Sequence, residues 1–133
     1  DYCFASKFAS IKLSELAIGI GPFVVGPSIE RKIGLSAFSQ LTINSTIWHT
    51  AEWAREKGLF SEVHESVHEM DVAIANLAEK LALSNPNSMR GLKEIMWEGT
   101  EHWDELLMKR AEISGKRVLS DFTRKTIEKL KKG

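Results

Sequence analysis

Two hydrophobic periods divide the chain: up to about residue 64 apolar residues come in short runs or alternate with polar ones, whereas beyond residue 66 they recur every three or four positions. Residues 2–5 and 10–13 predict two short strands separated by a polar turn at Ser6 and Lys7. Residues 15–22, ELAIGIGP, are apolar but contain two glycines and a proline. That run is too broken for a helix and predicts a loop leading out of a sheet. Pro27 suits the first turn of a short helix ending near Gly34, and Leu35, Phe38, Leu41 and Thr42 share one side of a second helix over 35–42. Thr50 as N-cap and Gly58 as stop frame a two-turn helix, after which residues 59–64 alternate with the period of a strand.

Helices fill the remainder. Ser66 followed by Glu69 has capping-box spacing, and Met70, Ile74, Leu77 and Leu81 then recur at helical intervals to about residue 83. Asn85 and Pro86 supply a cap and a first-turn proline for a helix reaching about residue 98. Thr100 is the expected cap of a long helix to Leu119, with a break at Ser114-Gly115, and Ser120 caps a last helix over 121–131. The first thirty residues look like the edge of a β-structure whose partners are absent.

The stretch His64-Glu65-Ser66-Val67-His68 has the letters of the H-E-x-x-H zinc signature, which works only when one continuous helix carries both imidazoles on one face. Here the cap at Ser66 separates a strand end from a helix start. The two histidines are therefore expected to diverge, and no metal site is expected.

Composition narrows the function classes. The chain has 133 residues, 43% apolar and 27% charged, as expected for a globular fold with a core of its own. Lys and Arg number 18, as do Asp and Glu, so no net field draws the chain to nucleic acid or to an anionic membrane. One cysteine, Cys3, leaves neither a disulfide framework nor a cysteine-rich zinc site. No apolar run of about 18 residues occurs, and a cytoplasmic, soluble chain is expected.

Glu15 is the carboxylate of most interest, because Leu13, Leu16, Ile18 and Ile20 surround it in sequence. An apolar setting raises a carboxyl pKa toward the range useful for general acid–base work. Its competing placement is in solvent, or paired with Lys12 or Arg31. Trp48, Trp53, Trp97 and Trp103 read as core or interface packing. The basic tail with Arg124, Lys125, Lys129, Lys131 and Lys132 suits a phosphate-bearing ligand, or equally the C-terminal end of a helix dipole. No constellation for nucleophilic catalysis is present.

Taken together, DYCFASKFASIKLSELAIGIGP resembles the middle of the crotonase superfamily, the enoyl-CoA hydratases and isomerases. There a strand is followed by a Pro-Glu-x-x-Leu-Gly-Leu-x-Pro-Gly loop, and Glu15, Ile18, Gly19, Ile20 and Pro22 fall in that register. The resemblance continues through Arg31, Gly34, the Gly-Leu-Phe-x-x-Val run ending at residue 63 and Asn85-Pro86, and finishes with Ser120, Phe122 and Lys125. It covers the whole chain, as the C-terminal half of such a protein. Ser14 departs from the pattern where proline is usual, and Phe23, Val24 and Val25 stand where a glycine-rich loop is usual.

What the resemblance implies is an α/β fold, the C-terminal portion of a crotonase-like ββα spiral, with short strands and then mainly α-helices. Residues 1–65 would end the core and carry the catalytic loop, and residues 66–133 would form the helical trimerisation and CoA-proximal region. Glu15 would be one of two glutamates that move protons during water addition to an enoyl thioester, with Gly21, Pro22, Phe23, Phe122 and Lys125 contacting substrate or coenzyme A. The partners implied are an acyl-CoA, the N-terminal half of the same protein and further copies in a trimer or hexamer. Coenzyme A would arrive as part of the substrate, with no separate cofactor, and the 133-residue piece alone would be inactive. The alternative is a catalytically inactive helical module for assembly.

Overall fold

The computed structural model describes residues 1–132. Four short strands, β1 (Phe4–Ser6), β2 (Ser10–Ile11), β3 (His49–Thr50) and β4 (Glu62–His64), alternate in the chain with the first helices. β1 pairs in parallel with β4, with Phe4 opposite Glu62, Ala5 opposite Val63 and Ser6 opposite His64. β2 pairs antiparallel with β3. The strands of the first thirty residues therefore do have partners, contrary to the sequence expectation. Those partners are contributed from 38 or more positions downstream, a separation that local pattern does not encode. Backbone bonds from Ser61 to the Cys3 carbonyl (2.7 Å) and from Lys7 to the His64 carbonyl (2.8 Å) extend the parallel pair at both ends. At its edge Tyr2 donates to Glu62 at 2.6 Å, and that bond to a carboxylate holds the phenol above its ordinary pKa.

The core lies between these strands and two helices, α1 (Gly26–Ile43) and α2 (Ala51–Glu56). Its buried apolar residues are Ala5, Ala37, Leu41, Ala51 and Ala54. Ala51 and Ala54 let α2 approach the strands closely, and among the described residues Leu41 is the one large apolar side chain fully enclosed. Gly34, at φ 74° and ψ 161°, is non-helical and divides α1 into the two helices expected on either side of that glycine. Residues 15–18 form a single 3-10 turn where a plain loop is expected.

Four further helices follow: α3 (Val67–Ala82), α4 (Pro86–Met96), α5 (Trp103–Val118) and α6 (Asp121–Leu130). Their starts follow the sequence chemistry. Ser66 accepts from the Glu69 amide at 3.1 Å while Glu69 reaches back to the Glu65 amide at 3.1 Å. Asn85 accepts from the Asn87 and Ser88 amides, and Ser120 from the Thr123 amide. Thr100 is not a cap: its hydroxyl turns back to the Trp97 carbonyl, and α5 begins three residues later. Nor does α5 break at Ser114-Gly115, because a single glycine costs a helix only about 1 kcal/mol.

Two polar ties hold α4 to the core. Arg31 of α1 donates to the carbonyls of Met96 (2.9 Å) and Glu98 (2.8 Å), satisfying groups that the helix end leaves open. Asp1 accepts from Lys93 and from the Trp97 indole. No helix among the described residues is long and apolar enough to cross a membrane.

Candidate active site

The cap at Ser66 settles the geometry of the histidine pair. His64 ends β4 and His68 lies in the first turn of α3, so no single helix face carries both. His64 instead stacks on Phe4 with ring centroids 6.0 Å apart, and its Nε2 lies 3.0 Å from Glu62 Oε2, off the line of a good hydrogen bond.

Glu15 opens the 3-10 turn, which Gly19 closes in a left-handed conformation with φ 84°. The side chain is half-buried, and its Oε2 is shut away from solvent with no hydrogen-bond partner. Neither cation that could have paired with it does so. Lys12 sits over the Trp48 ring at 4.3 Å, and Arg31 is committed to α4. A buried carboxylate oxygen without a donor is costly, and a catalytic role is one reason for a native fold to keep such a group.

That carboxylate borders a cavity of about 400 Å³. Ile20, Gly21, Pro22 and Phe23 continue its wall from the same loop, followed by Val24 and Val25, and Ser114 reaches it from α5. Gly21 has φ 97°, and a side chain there would meet the Phe23 ring at 2.8 Å, so this loop geometry requires glycine. Arg110 of α5 braces the loop with a long contact to the Phe23 carbonyl at 3.4 Å. Four residues singled out in the sequence, Glu15, Gly21, Pro22 and Phe23, thus share one cavity.

Phe122 and Lys125 do not line it. Both are exposed on α6, which packs against the 3-10 turn. Thr123, fully buried, seats α6 there beside the Phe122 ring: a Cβ on Gly19 would come within 2.5 Å of that ring and 2.9 Å of the Thr123 hydroxyl. α6 therefore lies on the back of the turn that carries Glu15. Sequence pattern missed Ser114, Arg110 and Thr123. The one available signal for Ser114 was its small-residue pair with Gly115, although a Cβ added at Gly115 would meet nothing within 4 Å.

Short strand pairs leading into a long helical segment, with a carboxylate on the turn between β2 and α1, define the C-terminal part of a crotonase-like α/β fold. The family described as enoyl-CoA hydratase/isomerase matches residues 1–131, and the chain belongs to that family. Among solved structures it is similar to an enoyl-CoA hydratase from Mycobacterium avium, with 22% identity and a TM-score of 0.89 over 99% of this chain and 51% of that one. An enoyl-CoA hydratase/isomerase from Pseudoalteromonas atlantica T6c gives 20% identity and 0.88, over 99% and 53% respectively. A carnitinyl-CoA hydratase from Mycobacterium avium gives 20% and 0.78, over 99% and 52%. The chain thus spans about half the length of these structures. No curated protein matches it.

Proposed function

We propose that the chain supplies the proton-transfer carboxylate of an enzyme that adds water to, or removes it from, an acyl-CoA thioester. The observation that carries this reading is Glu15 Oε2, buried and unpartnered at the edge of a largely apolar cavity. Such a carboxylate can take a proton from water or return one to the substrate carbon, provided a second carboxylate works opposite it. The thioester oxygen gains negative charge on the way, and two donors aimed at it would provide the largest stabilisation. Since the chain spans about half of its structural relatives, the activity belongs to the complete protein, and the 133 residues alone are expected to give no turnover.

In this reading Gly21, Pro22 and Phe23 contact the acyl group. Lys125, exposed on α6, meets the coenzyme A phosphates, and Phe122 flanks the pantetheine. Coenzyme A comes and goes with the substrate, and the reaction needs no separate cofactor. Residues 1–65 act as the core segment that carries the catalytic loop, and residues 66–133 as the assembling, CoA-proximal segment, in a homotrimer or hexamer.

The test is crotonyl-CoA hydration by the complete protein. Glu15→Gln keeps shape and removes the base, and is expected to lower kcat roughly 10²–10⁴-fold with unchanged circular dichroism. Undiminished turnover by the variant overturns the role of Glu15. Absence of turnover with any 2-enoyl-CoA by the unmodified protein overturns the enzyme reading. It would favour a second one, a helical assembly module without chemistry, which the many exposed apolar side chains of α3 to α6 support.

A further inference from the structure

We propose that Ser114 selects the acyl chain, giving the cavity beside Glu15 a hydrogen-bonding site for an uncharged polar substituent on a short acyl thioester. The inference rests on the acyl-CoA reading above and goes beyond it to the class of substrate.

Three observations carry it. The first is position: Ser114 belongs to α5, 99 residues along the chain from Glu15, yet both border the same cavity of about 400 Å³. Apart from these two side chains the wall is made of glycine, proline, aliphatic and phenyl groups. One hydroxyl in such a wall is the kind of sparse polar group that fixes orientation and specificity in a small-molecule site.

The second is an unused hydrogen bond. Serine and threonine inside helices can turn back to the carbonyl four residues upstream. Ser39, Thr42 and Thr126 do so here, at 2.8, 3.0 and 2.9 Å. The Ser114 hydroxyl makes no hydrogen bond among the described residues, although Arg110, four residues before it, belongs to the same helix. Its donor and both lone pairs stay open to a ligand.

The third is charge. Among the described residues Glu15 is the one ionisable side chain bordering the cavity, so no cation on this wall would pair with a carboxylate on the acyl chain. A carboxylate-tailed acyl chain thus finds no partner on this wall, whereas a hydroxyl or carbonyl substituent finds the Ser114 hydroxyl. The size of the cavity agrees with a short chain, since small-molecule sites run from about 300 to about 1,000 Å³.

The experiment compares crotonyl-CoA, 4-hydroxycrotonyl-CoA and glutaconyl-CoA as substrates for the complete protein and its Ser114→Ala and Ser114→Thr variants. Ser114→Ala is expected to lower kcat/KM for the hydroxylated substrate roughly five- to tenfold while leaving crotonyl-CoA within about twofold. Ser114→Thr, which keeps the hydroxyl, should restore most of the loss. Glutaconyl-CoA should be the poorest substrate. Equal effects of Ser114→Ala on the two uncharged substrates, or preference for glutaconyl-CoA, would overturn the proposal while leaving the hydratase reading intact. Should no enoyl thioester turn over, the hydratase reading fails by itself, and calorimetric binding of unreactive 4-hydroxybutyryl-CoA still decides: weaker binding by Ser114→Ala supports the selector role, and unchanged binding ends it.

Discussion

The segment up to β4 and the segment from α3 to α5 are both regular structure, yet they are held in different ways. Nearly every buried side chain belongs to the first: Ala5, Ala37, Leu41, Ala51 and Ala54 lie in its paired strands and two helices. No residue of α3, α4 or α5 is buried. These helices stand on their caps, on i to i+4 ion pairs such as Glu112 with Lys116, and on the few ties made by Arg31, Asp1 and Arg110. Isolated helices of 11–16 residues are marginal in water, so an apolar face on each is a demand for a partner surface. Glu15 lies within the first segment, in the turn where α6 returns from the helical segment to lean on Gly19.

The contrast can be broken or sharpened by substitution, and after Glu15→Gln the largest effect is expected in the core. Leu41→Ala removes the one large enclosed apolar side chain, beside an existing apolar cavity of about 180 Å³, and should cost about 2–5 kcal/mol by denaturant unfolding. A loss under 1 kcal/mol would mean that the strand-bearing segment does not carry the stability. Gly19→Ala comes next. Its positive φ and the crowding by Phe122 together should cost about 2 kcal/mol and speed hydrogen exchange in α6. Unchanged protection of α6 would detach that helix from the catalytic turn.

In the helical segment, Ile95→Asp puts a charge on a residue that is 69% exposed in the single chain. Little effect on unfolding is expected, but a shift toward smaller species in sedimentation, because copies are proposed to cover that face. An unchanged sedimentation profile would remove the assembly proposal. Smaller still is the acid limb. Lys116 holds the Glu112 carboxyl below its ordinary value through a 2.6 Å charged hydrogen bond. A depressed folded pKa gives stability that is present above the unfolded value and lost as pH falls through the folded one. Glu112→Gln should therefore slightly lower protection of α5 at neutral pH and converge with the parent in acid, and an equal loss at both pH values would assign the effect to something other than this pair.

What could be read from the chain was what depends on neighbours in sequence. Ser66, Asn85 and Ser120 cap helices because a short polar side chain meets amides two or three residues on, and Gly19 and Gly21 mark turns because only glycine takes a positive φ without penalty. The apolar setting of Glu15 was legible for the same reason, although its wall turned out to be built from Ile20 and the residues after it, with Leu16 left exposed. Thr100 misled because a threonine hydroxyl can turn back to a carbonyl as readily as it caps.

Partnership across the chain was decided only by tertiary structure. Phe4 meets Glu62, Ser10 meets Thr50, Ser114 reaches the cavity of Glu15 and Thr123 settles under Gly19, each through contacts spanning 40 to 104 positions. Sequence alone determined where helices start, where the backbone turns and which carboxylate has greasy neighbours, since those follow from local sterics and hydrogen bonding. Which strand pairs with which, and which hydroxyl faces that carboxylate, follows from how whole elements bury their surfaces against one another, and no short window of residues contains that information.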